Sequence, residues 1–106
     1  REVAVSDNVI SYAVRLCAAT RPGTPSASKQ VNEMVKWGAG SRASQALIMA
    51  GKARALLQGR CNVACEDVQA LLLPVLRHRV ITNFRAEAEG LSVPQILAAL
   101  LQTVSR

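Results

Sequence analysis

Aromatic side chains are nearly missing from this 106-residue sequence, which holds one Trp, one Tyr and one Phe. Leu, Ala, Val and Ile must therefore build any core, and alanine-rich patterning favours closely packed helices over a sandwich of sheets. Histidine is limited to His78. Cys17, Cys61 and Cys65 form an odd set, which does not read as a disulfide framework. Cys61 and Cys65 stand at zinc-ligand spacing, but a site needs two further ligands and finds one histidine, so no metal site is expected. A redox pair there is the alternative; reduced thiols in the cytoplasm are the default. No secretory segment and no run of about 18 apolar residues is present, so no membrane partner is expected. Phosphate-loop and nucleophile-elbow patterns are absent as well. A nucleotide-hydrolysing enzyme needs a sheet, a phosphate loop and metal-binding carboxylates. By itself the chain is therefore expected to be no enzyme, with no complete catalytic set and no bound cofactor, and at most a piece of a larger one.

Acidic residues are scarce, seven against thirteen Lys and Arg, giving a net charge of +6. Ten of the thirteen are arginines, which raises the odds of an anionic partner. The positive charge is dispersed, and its densest run is Arg77-His78-Arg79. A small basic helical module that binds nucleic acid is therefore the alternative function. Half of the residues are apolar and 19% are charged, as in a folded single domain spanning residues 1–106.

Four helical patterns are legible. The first runs from about Ser6 to Ala19, with Ile10, Ala13, Val14 and Cys17 as its stripe, widened by Val9 and Leu16. Pro22 and Pro25 stop it, and residues 21–30 read as a loop. Val31 to Trp37 is ambiguous, with Met34–Trp37 as a candidate short strand. The second helix spans about Ser41 to Leu57, with a stripe of Ala43, Ala46, Leu47, Ala50, Ala53, Arg54 and Leu57. Gly51 costs about 1 kcal/mol of propensity there, which close packing can offset; Gly59 suits the helix end. Cys61 to Ala64 is a second candidate strand, able to pair with Met34–Trp37 in a minor ribbon. The third helix starts near Cys65, places Glu66 and Asp67 in its first turn, and is expected to kink or break at Pro74. Its stripe is Val68, Leu71, Leu72 and Val75. Arg77–Phe84 continues it or turns, and Arg85–Gly90 reads as polar linker. The fourth helix has Ser92 as cap, Pro94 in its first turn, and an apolar face from Val93 through Ile96, Leu97, Leu100 and Leu101 to Val104.

Arg42 carries the sharpest chemical signal. It falls within two residues of a helix start, where free N–H groups already give positive character. An arginine is unfavourable there unless an anion is bound, and its five-donor fork suits phosphate oxygens. The alternative is a solvated or surface-paired arginine. Trp37 has two readings as well, stacking on a base or anchoring the glycine turn against the core. His78 has no carboxylate or serine that the sequence can place beside it, so no general-base role is assigned. A helix-turn-helix reader is disfavoured because Glu66, Asp67 and Gln69 stand at the start of the would-be recognition helix.

The stretch Val35-Lys36-Trp37-Gly38-Ala39-Gly40-Ser41-Arg42-Ala43 resembles the small C-terminal lid domain of MoxR-type AAA+ ATPases. Ala53 to Arg60, Glu66 to Leu71, Pro74 to Val80, and Glu87-Ala88-Glu89-Gly90-Leu91 before the last helix are similar to that family in the same order, and so is the opening Tyr12–Leu16. The resemblance implies a mainly α fold, a small helical bundle of the AAA+ lid type. It implies a large nucleotide-binding domain in the same chain, ATP and Mg in the parent, and neighbouring subunits in a ring, commonly a hexamer. It further implies a client protein that is remodelled or matured, with a von Willebrand A-type partner in many members. Arg42 matches the sensor-2 arginine, with Gly38, Gly40 and Ser41 as nucleotide-facing support. Two departures stand out. The family's Ser-Pro is Gly40-Ser41 here, which weakens the cap and removes the N1 proline. Ala64 replaces a capping threonine, at an expected cost of about 1 kcal/mol.

Overall fold

A computed structural model describes residues 3–106. The chain forms helix α1 (Asp7–Ala19), helix α2 (Lys29–Met34), strand β1 (Val35–Trp37), helix α3 (Ser41–Leu57), helix α4 (Cys65–Leu76), strand β2 (Ile81–Thr82), helix α5 (Phe84–Glu89) and helix α6 (Val93–Thr103). The fold is mainly α, as expected. Helices α1, α3, α4 and α6 pack around Tyr12, Leu16, Leu47, Val68, Leu72, Leu76, Ile96 and Leu97, all buried. Tyr12, one of the three aromatics, sits at the centre, and its hydroxyl accepts a hydrogen bond from Gln69 Nε2 at 3.1 Å.

The four long helices keep their expected bounds within a few residues, but two stripes are rotated. In α1 the buried face is Val9, Tyr12, Ala13 and Leu16, a regular i, i+3, i+4, i+7 set, together with Cys17. Val14 is left exposed. In α3 the buried residues are Ala43, Ser44, Leu47, Gly51 and Ala55, whereas Ala53 is exposed and Leu57 is 88% exposed. Gly51 is packed closely: a Cβ there would lie 3.1 Å from Val63 Cγ1. Gly59, with φ +72°, follows α3 in the left-handed conformation its end requires. α4 runs past Pro74 and stops two residues later at Leu76.

The ambiguous stretch divides. Ser28 Oγ caps α2 by accepting from the Val31 amide at 3.2 Å, and the chain then extends into β1. The ribbon exists, but its second strand is not Cys61–Ala64. β1 pairs antiparallel with β2, Val35 opposite Thr82 and Trp37 opposite Ile81. Asn62 instead makes a parallel bridge to Ala4, with Ala4 N donating to Cys61 O and Val63 N donating to Ala4 O. Arg85–Gly90 is helix α5 rather than linker. Asn83 Oδ1 accepts from the Ala86 amide at 3.0 Å, Ala86 is buried, and Gly90 closes the helix at φ +71°.

Candidate phosphate-facing site at the start of α3

The approach to Arg42 is built at Thr20, just beyond α1. Thr20 is fully buried; its Oγ1 donates to Cys17 O at 2.6 Å and accepts from the Ala39 amide at 2.9 Å. Gly38 lies against the same backbone, where a Cβ would come within 2.4 Å of Thr20 O. Only glycine fits such an approach without moving the backbone. The turn is thereby riveted to the end of α1, and it delivers Gly40 and Ser41 to an exposed helix start.

That helix start differs from the others. Ser6, Ser28 and Asn83 each accept an amide hydrogen bond at the start of α1, α2 and α5. Asp67 and Gln95 reach back to the cap amides of α4 and α6. Gly40 supplies no such acceptor, and the first turn of α3 has no acidic residue. Among the described residues, α3 is thus the helix whose N-terminal amides no side chain engages. Arg42 stands exposed in that turn, and its guanidinium makes no hydrogen bond or ion pair with a described residue. A concave surface between α1 and the start of α3 is lined by Val14, Ala18, Arg21, Gly40, Ser41 and Ser44; Arg42 does not line it. Cys17 lines it too; burial pushes its thiol up to about 11, against the opposing charge of Arg79, so it is held protonated.

Most other arginines are engaged within the chain. Arg54 and Arg60 bind Asp67, Arg85 binds Glu33 and Glu89, and Arg106 binds Glu66. Arg15 donates to Ser105 O, and Arg79 to Val75 O at 2.6 Å. Asp67 is the ion cluster that patterning missed. It is fully buried and accepts from Arg54 Nη1 at 2.5 Å, Arg60 Nη1 at 2.8 Å and Nη2 at 2.5 Å, and the Ala64 amide at 2.7 Å. The Arg60 hydrogen bonds, opposed by burial and reinforced by the Ala64 amide and Arg54, hold its carboxyl well below the usual carboxylate range. Asp67 also engages the cap amide of α4, and so offsets the expected penalty of Ala64 as a cap. Its N3 position was the available signal.

Trp37 is 62% exposed, so it does not anchor the turn in the core. With Lys36, Arg21 and Gly38 it borders a second shallow groove. Arg77, His78 and Arg79 are exposed in the turn after α4. Among the described residues, no group of three His, Cys, Asp or Glu side chains is placed to hold a metal, and no helix is long and apolar enough to cross a membrane.

A family model for the AAA lid domain matches residues 27–100. The chain belongs to the AAA lid domain family. The lid is 35% identical over 97 residues to "Chaperone MoxR1" of Mycobacterium tuberculosis, across 92% of this chain and 26% of that protein. It is 31% identical to "Protein MoxR" of Paracoccus denitrificans, across 88% of this chain and 29% of that one. A crystal structure described as a candidate ATPase from Cytophaga hutchinsonii superposes on the lid with a TM-score of 0.91 at 33% identity, over 98% of the lid and 32% of that chain. The lid thus spans between a quarter and a third of the relatives it matches.

Proposed function

We propose that residues 1–106 are one lid domain of a larger, ring-forming cytoplasmic ATPase, and that Arg42 is its sensor-2 arginine. In this reading Arg42 reaches the phosphates of Mg-bound ATP held by the large domain of the same chain. It couples hydrolysis to lid movement and so to remodelling or maturation of a client protein, with a von Willebrand A-type partner among the candidates. A hexamer is the expected ring. The observation that carries the proposal is a start of α3 that no described side chain caps, next to an exposed Arg42 that pairs with no described residue. Free amides and a guanidinium at one point repel each other's charge until an anion arrives, and phosphate satisfies both. Gly40 and Ser41 add room and amides at that point; the role of Gly38 is to hold the turn against Thr20. The name of the mycobacterial relative, a chaperone, supports the client-directed part of the reading.

The test is turnover of the intact parent. Arg42→Ala is expected to lower ATP turnover about 10-fold or more, the scale of one charge-assisted contact worth ~1.5–3 kcal/mol. Arg42→Lys should rescue little, because a point charge does not reproduce the fork. Parental turnover in both variants would show that Arg42 does not read the nucleotide.

A further inference from the structure

The shallow groove beside Trp37 is bordered by Lys36 and Trp37 of β1, by the turn at Arg21 and Pro22, and by Gly38 and Gly40. No residue of β2 and no acidic residue borders it, so it lies along β1 on the side away from β2. Among the described residues the ribbon has two strands, and that edge of β1 pairs with no other strand. The facing turn is held in place. The Arg21 amide donates to Ala18 O at 3.1 Å, Thr24 Oγ1 donates to Arg21 O at 2.9 Å, and the Gly23 amide donates to Asn32 Oδ1 at 2.7 Å. Gly38 packs directly on the backbone of Thr20 and Arg21. The groove is thus shaped before any partner arrives, which lowers the cost of binding. Arg21 and Lys36 are exposed, and neither side chain bonds to a described residue. Trp37, the one tryptophan of the sequence, is 62% exposed beside them.

We propose that this groove binds an extended acidic segment of a partner protein. The segment's backbone lies along the free edge of β1, an apolar side chain rests on Trp37 and Pro22, and its carboxylates meet Arg21 and Lys36. Charge complementarity selects the partner. Two cations border one groove that the chain lines with no carboxylate of its own, and an acidic segment relieves their repulsion. The open strand edge selects the backbone. An extended peptide adds main-chain hydrogen bonds to such an edge, and its alternate side chains then enter the neighbouring groove. An exposed indole supplies the apolar anchor. Single-stranded nucleic acid fits less well, because it stacks successive bases on several aromatics and Trp37 is the one aromatic bordering the groove. Arg42 does not line the groove, so this site stands apart from the proposed reading of phosphate at α3.

The experiment is fluorescence anisotropy of labelled, end-blocked peptides titrated with the intact parent at low and moderate salt. One peptide alternates glutamate and valine, and its counterpart carries glutamine in place of glutamate. The glutamate peptide is expected to bind about 10-fold more tightly or better, with a preference that shrinks as salt rises. Arg21→Gln and Lys36→Gln should each weaken it about 3-fold, the scale of one exposed ion pair, and Trp37→Ala about 10-fold or more. Arg77→Gln, outside the groove, should leave the affinity unchanged. The double variant Arg21→Glu with Lys36→Glu should reverse the preference towards a lysine–valine peptide, which a misfolded variant does not do. No binding, or equal binding of the glutamate and glutamine peptides, would overturn the proposal. Binding that ignores the changes at Arg21 and Trp37 would overturn it as well. Labelled oligothymidine that displaces the glutamate peptide and binds more tightly would overturn it in favour of nucleic acid.

Discussion

The buried hydroxyl of Thr20 accepts the Ala39 amide at 2.9 Å, joining the end of α1 to the turn before α3 across 19 residues of sequence. Through that bond the position of Arg42 is set by a residue that touches neither Arg42 nor any ligand. Thr20→Val keeps the shape and removes the acceptor, leaving a buried amide unpaired. It is expected to destabilise the lid by ~1–3 kcal/mol, read as a lowered denaturation midpoint, with Thr20→Ser recovering most of the loss.

Gly38 and Gly40 are two residues apart and should respond differently. A Cβ at Gly38 meets Thr20 O at 2.4 Å and Arg21 Cα at 2.6 Å, whereas one at Gly40 meets nothing within 4 Å. Gly38→Ala is expected to cost ~3 kcal/mol or more, because backbone must move. Gly40→Ala should cost about 1 kcal/mol or less. Urea titration of both variants makes the comparison.

Supplying the acceptor that α3 lacks should separate stability from function. Gly40→Asp is expected to stabilise the lid by ~1 kcal/mol through a capped helix start, read as a higher melting temperature. In the intact parent the same carboxylate competes with phosphate for the amides and for Arg42, so ATP turnover should fall. A variant that gains stability without losing turnover would count against a phosphate at this point.

Asp67 links acid stability to the α3–α4 packing. Its folded carboxyl lies below its unfolded value, so its contribution is complete above the unfolded pKa of about 3.9 and is lost as pH falls through the lower folded value. Asp67→Asn is expected to cost ~2–3 kcal/mol near neutrality, less than a fully enclosed pair because Arg54 and Arg60 are about a third exposed and water screens them. The gap between the two proteins should narrow steadily as pH is lowered from 5 to about 2 in parallel melts.

Cysteine chemistry should sort by burial. Cys17 is buried, with its thiol raised to about 11, and Cys65 is buried too, whereas Cys61 is exposed. Alkylation of the folded lid at pH 8 should modify Cys61 first and leave Cys17 unmodified until denaturant is added.

The four long helices were legible because each has a local device: Ser6 before α1, glycine on both sides of α3, acidic residues opening α4, and Ser92 with Pro94 at α6. Arg42 was legible for the same local reason, as a cation at a helix start. α5 was missed because its six residues hold one buried side chain, Ala86, and too few apolar positions to show a period. Its Asn83 cap and Gly90 stop were present as a weaker signal. Helix faces were misjudged in α1 and α3 because periodicity reads exposed aliphatic residues such as Val14 and Leu57 as core, and in α3 the many alanines do not tell one face from another. Sequence alone therefore determined the helices, the family resemblance and the candidacy of Arg42, since these depend on neighbours a few residues apart. Tertiary structure decided that β1 pairs with Ile81–Thr82, that Gly38 and Ala39 are held by Thr20, and that Asp67 gathers Arg54 and Arg60. Each of those contacts joins side chains or backbone from different elements, so the pattern within any one element does not specify it.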